Sequence, residues 1–106
     1  MVEDYTIIQE RKGEFLVKFL NTPKNQGLIT QQMYNEVRSL IHESGVSITF
    51  SLENVEILNE RDTDYLNLLS RYAEKNNSKV LLVNIKPSLR EVFDLIKTYA
   101  VFNVSY

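Results

Sequence analysis

No cysteine occurs in the 106 residues, which excludes a disulfide framework and any thiolate metal site. Histidine is nearly as scarce. His42, the single one, falls just off the apolar stripe of a helical segment, where an exposed imidazole is expected rather than a catalytic base. Three glycines in all leave neither a dinucleotide fingerprint nor a phosphate-binding loop. No G-x-S-x-G elbow is present for a serine nucleophile. No apolar run approaches the ~20 residues of a membrane span. Basic residues are scattered, with no run longer than Arg11-Lys12, and the net charge is −2; a nucleic-acid binder shows a basic face instead. The opening "MVEDYTIIQE" carries acids where a signal peptide has a basic start and an apolar core, so a cytoplasmic location is expected. Together these absences point away from an enzyme, and no cofactor is implied.

What remains is the profile of a folded domain. Apolar residues make up 43% and charged residues 25%, which separates the chain from disordered sequences. Its length suits one domain and is too short for two ordinary ones, so residues 1–106 are expected to form a single unit.

The pattern along the chain predicts alternating strands and helices. "YTIIQER", Lys12-Gly13 and "EFLVKFL" read as a hairpin, with Phe15, Val17 and Phe19 sharing one strand face. "NTPKNQG" is a loop, because Pro23 blocks pairing and Gly27 permits positive φ. A helix capped by Thr30 carries Met33, Tyr34, Val37, Leu40 and Ile41 on one stripe and is expected to end at Gly45. "SITFSL" alternates, placing Ile48, Phe50 and Leu52 inward and Ser47, Thr49 and Ser51 outward, as in a strand with one face covered. Asn59 is a fitting N-cap for a second helix whose core stripe is Leu66, Leu69 and Ala73. "KVLLVNI" is nearly continuous apolar sequence, expected of a central strand buried on both faces and stopped by Pro87. "SLRE" predicts a capping box with Ser88 as N-cap and Glu91 three positions on. Leu89, Val92, Phe93 and Ile96 follow on one side of a third helix, and "VFNVS" gives a short last strand. The order β-β-α-β-α-β-α-β predicts an α/β fold with a mixed, mostly parallel sheet, and right-handed crossovers place successive helices on one face.

The candidate chemistry lies in "ILNERDTDYL", residues 57–66. Glu60, Asp62 and Asp64 invite a hard-metal reading. Only Glu60 and Asp64 share a helix face, however, and carboxylates at a helix start ordinarily serve its dipole, so no metal is expected. Six tyrosines invite a base-stacking reading, yet Tyr34 and Tyr72 sit on or beside core stripes.

The run "SITFSLENVEILNERDTDYLNLLSRYAEKNNSKVLLVNIKP", followed by "SLREVFDLIKTY", resembles the STAS domain of bacterial anti-sigma factor antagonists. Members carry a strand similar to V-x-L-D-L-S-x-V-x-F-I-D-S-S-G, then an apolar helix, a strand like L-x-L-V-x-V-x-P and a short final helix. Over residues 48–87 the likeness runs without a gap, and the earlier elements match in order. The signature motif itself is absent. Without gaps, Asn59 falls on the family's aspartate, Glu60 on the first serine, Arg61 on the phosphorylated serine and Asp62 on the glycine. In members that switch, phosphorylation at Arg61's position breaks the partner interface. Arg61 has no hydroxyl, so the resemblance implies a partner-facing loop without its switch; Thr63, two positions on, is a substitute acceptor only in shifted register.

The resemblance implies a regulatory domain that binds an anti-sigma factor or kinase-like protein through Asn59, Glu60, Arg61, Asp62, Thr63 and Asp64. At helical spacing Arg61, Tyr65, Leu68 and Tyr72 continue that surface along one flank of the second helix, and these are residue types rich in interfaces. The alternative for the flank is that Tyr65 and Tyr72 pack over the sheet edge with Arg61 across a ring; the two are compatible. A rival function is that of a STAS accessory subunit docked on the ATPase of a membrane transport complex.

Overall fold

The computed structural model describes residues 4–20, 28–96 and 103–104. Strands β1 (Tyr5–Arg11) and β2 (Glu14–Phe19) pair antiparallel. The turn between them uses Gly13 at φ +77°, a left-handed conformation that glycine adopts without penalty. The loop predicted over residues 21–27 lies outside the described residues. Helix α1 (Gln31–Leu40), strand β3 (Ser47–Ser51), helix α2 (Glu60–Lys75), strand β4 (Lys79–Val83), helix α3 (Pro87–Ile96) and the two-residue strand β5 (Asn103–Val104) follow. The sheet runs in the order β1-β2-β3-β4-β5, and β2 through β5 pair parallel. The chain is thus an α/β domain with a mixed, mostly parallel sheet.

Register explains which face is covered. Val17, Phe50 and Leu82 lie in one row across three strands, and Phe15, Ile48 and Val80 in the next. Except for the half-buried Phe15, all of these are buried. They share one core with Met33 and Val37 of α1, Leu66, Leu69 and Ala73 of α2, and Leu89 and Phe93 of α3, so the three helices lie on the same side of the sheet. Burying each large side chain here contributes about 1.5–3 kcal/mol. The other face carries Ile8, which is 42% exposed, with Lys18 and Lys79 in water.

Four local expectations need correction. Helix α1 ends at Leu40 rather than Gly45: the Ile41 amide turns back to the Arg38 carbonyl, and His42 Nδ1 sits 3.2 and 3.1 Å from the Ser39 and Leu40 carbonyls. An imidazole at the last carbonyls closes the helix early. Ser51 points outward yet is buried on a strand flanked by Lys18 and Val83, and the side chain of Asn84, at φ +57°, donates to its hydroxyl at 3.1 Å. Strand β4 is fully buried on one face only; Leu81 and Val83 stay half-buried because α1, α2 and α3 lie on the opposite side. In α3, Pro87 occupies the first helical position, where its missing N–H costs nothing. Ser88 therefore lies inside the first turn, and the predicted capping box does not form.

Candidate functional site

Helix α2 begins where the sequence predicts, and side chains bond its start on several sides. Asn59 is extended at the N-cap, and its Oδ1 accepts from the Asp62 amide at 2.8 Å. Asp62 Oδ2 accepts in return from the Asn59 amide at 3.2 Å. This reciprocal box satisfies donors that a helix start otherwise leaves open. Asp62 does more: its Oδ1 accepts from the buried Ile29 amide at 2.9 Å, tying the segment before α1 to the first turn of α2.

Asp62 is only 1% exposed, which corrects its assignment to the partner-facing set. Its carboxylate is engaged on both oxygens with backbone amides, so it holds the loop in shape and is closed to a partner or a metal. Among the described residues no three His, Asp or Glu side chains are grouped to hold a metal ion. The rest of the run stays at the surface. Asn59, Glu60, Arg61 and Asp64 are exposed and Thr63 is half-buried. The Thr63 hydroxyl donates to the Glu60 carbonyl within the same turn at 2.9 Å.

Beyond the first turn the predicted flank is present, but its neighbour differs from the one expected. Tyr65 and Tyr72 pack toward α1 rather than over the sheet edge. The Tyr65 ring lies 5.1 Å from that of Tyr34, and its hydroxyl donates to Gln31 Oε1 at 3.2 Å. Arg61 lies 5.6 Å from the centre of the Tyr65 ring and donates to the same hydroxyl at 3.4 Å. That hydrogen bond, with the electrostatic influence of Tyr65, holds the Arg61 pKa above its ordinary value. One turn along α1, Arg38 lies 4.4 Å over the Tyr72 ring. Leu68 stands between these pairs, 51% exposed.

Gln31, Tyr34 and Arg38 are thus part of the surface and were not predicted as such. Their spacing along α1 is visible in the sequence, but which helix lies opposite is a tertiary fact that no local pattern carries. Two arginines, each set against a tyrosine ring, border a seam between α1 and α2. Neither guanidinium comes within 4.0 Å of a carboxylate among the described residues.

Fold and surface together define an α/β domain whose helical side ends in a cationic, aromatic seam. No protein-family model matches the chain, and no curated protein matches it. Among the described residues no helix is long and apolar enough to cross a membrane.

Proposed function

We propose that the chain is a protein-interaction regulatory domain of the STAS type, similar to anti-sigma factor antagonists. It binds an anti-sigma factor or kinase-like partner in the cytoplasm, regulates transcription through that contact, and lacks the phosphoserine switch. The observation that supports this reading is the exposed start of α2, where the ungapped likeness over residues 48–87 sets Arg61 against the family's phosphorylated serine. Arginine accepts no phosphoryl group, while its planar guanidinium is well suited to protein contacts.

Two experiments test the reading. Affinity capture from the native cell is expected to return an anti-sigma factor or kinase-like protein; recovery of an ABC-type ATPase instead would make the chain a transport subunit. Incubation with the captured kinase and ATP is expected to leave residues 59–64 unmodified by mass spectrometry. Stoichiometric phosphate on Thr63 would contradict this and restore a switch in shifted register.

A further inference from the structure

The surroundings of Leu68 have a definite chemistry. One turn away on α2 stand Asp64, Tyr65, Arg71 and Tyr72, and two turns away stand Arg61 and Lys75. Across the seam, Arg38 of α1 lies over Tyr72. A half-exposed leucine is therefore ringed by tyrosines and by Arg38, Arg61, Arg71 and Lys75, with Asp64 the only carboxylate at those positions. The local charge is positive on a chain whose net charge is −2. The Arg38 and Arg61 guanidiniums are already oriented by aromatic rings, which lowers the ordering cost of a contact, and neither has a carboxylate partner among the described residues.

We infer that the α1–α2 seam docks an acidic, amphipathic segment of the partner, whose carboxylates meet Arg38 and Arg61 and whose apolar side chain covers Leu68. The inference rests on the reading of α2 as the partner surface and adds the partner's chemistry and the α1 half of the site. An apolar centre with a cationic rim is the layout of a protein interface. A nucleic acid would instead ask for a run of phosphate contacts, and a leucine at the middle of the patch interrupts such a run.

The test uses the full chain, isotope-labelled for NMR. One probe is a 14-residue amphipathic peptide with a central leucine and glutamates one turn to either side. Its controls are a twin with lysines in place of the glutamates and an oligothymidylate of equal charge. The glutamate peptide is expected to shift the Leu68 methyls and the Arg38 and Arg61 side-chain N–H signals. It should bind at least tenfold tighter than its twin and weaken as salt rises. The double variant Arg38→Glu/Arg61→Glu is expected to reverse the preference, while Ile8→Ser, on the uncovered sheet face, leaves it unchanged; circular dichroism confirms that each variant is folded. Equal binding of both peptides, shifts that bypass Leu68, or the same shifts produced by the oligonucleotide would overturn the inference. The outcome separates from that of the proposed function. A captured partner with no response to the glutamate peptide sinks only the seam chemistry, and a responsive seam with no anti-sigma or kinase-like partner sinks only the function.

Discussion

Arg61 and Asp62 are neighbours in the first turn of α2, and the fold uses them in opposite ways. Asp62 is turned inward and accepts from two backbone amides of different segments. Arg61 is turned outward, contacts only a tyrosine on its own helix, and has no carboxylate partner among the described residues. The same contrast continues down the helix, with Leu66, Leu69 and Ala73 buried on one side and Leu68 half in water on the other. The lesson is one of division: one side of α2 holds the domain together, and the other is left chemically unfinished.

Substitutions ranked by expected loss of stability sharpen that division. Leu69→Ala, on the buried side, leaves a cavity in the core and is expected to cost about 2–5 kcal/mol, read from denaturant unfolding. Asp62→Ala strands the buried Ile29 amide and removes the capping box, for an expected loss of about 2–3 kcal/mol. Asp62→Asn keeps an acceptor oxygen and should recover part of that loss. If Asp62→Ala unfolds at the same denaturant concentration as the parent, the carboxylate is not the tie described here. Tyr65→Phe removes the hydroxyl that joins Gln31 to Arg61 but keeps the ring against Tyr34. A loss of about 0.5–1 kcal/mol is expected, and a larger one would mean that the seam is structural after all. Leu68→Ala lies at the far end of the scale, within about 0.5 kcal/mol of the parent, because half of its side chain never leaves water.

The strands and helices were legible in the sequence because their signals are local. Alternation at Ile48, Phe50 and Leu52, and the helical spacing of Leu66, Leu69 and Ala73, report directly which side each residue buries. The N-caps Thr30 and Asn59 were legible for the same reason. What escaped depends on contacts between distant segments. Ser51 reads as outward and polar, yet it is buried and accepts a hydrogen bond from Asn84, 33 positions away. Asp62 reads as one of several helix-start acids until Ile29 arrives to share its carboxylate. For the candidate site, α2's half of the seam could be read from its spacing, whereas Gln31, Tyr34 and Arg38 could not be assigned without knowing that α1 packs beside α2. The missed cap of α3 is different in kind: Pro87 was read only as the stop of β4, and the helix begins at that residue instead of after Ser88.

If the outward side of α2 binds a partner without bearing on the fold, Arg61→Glu separates the two properties. Titration of the captured partner, with thermal melts run in parallel, measures both properties on one protein. Affinity is expected to fall about 30-fold or more, corresponding to the ~2 kcal/mol typical of a central interface arginine, with stability unchanged within about 0.5 kcal/mol. Unchanged affinity would place Arg61 outside the interface, and a melting transition that falls in step with the loss of binding would make this side of α2 part of what holds the fold.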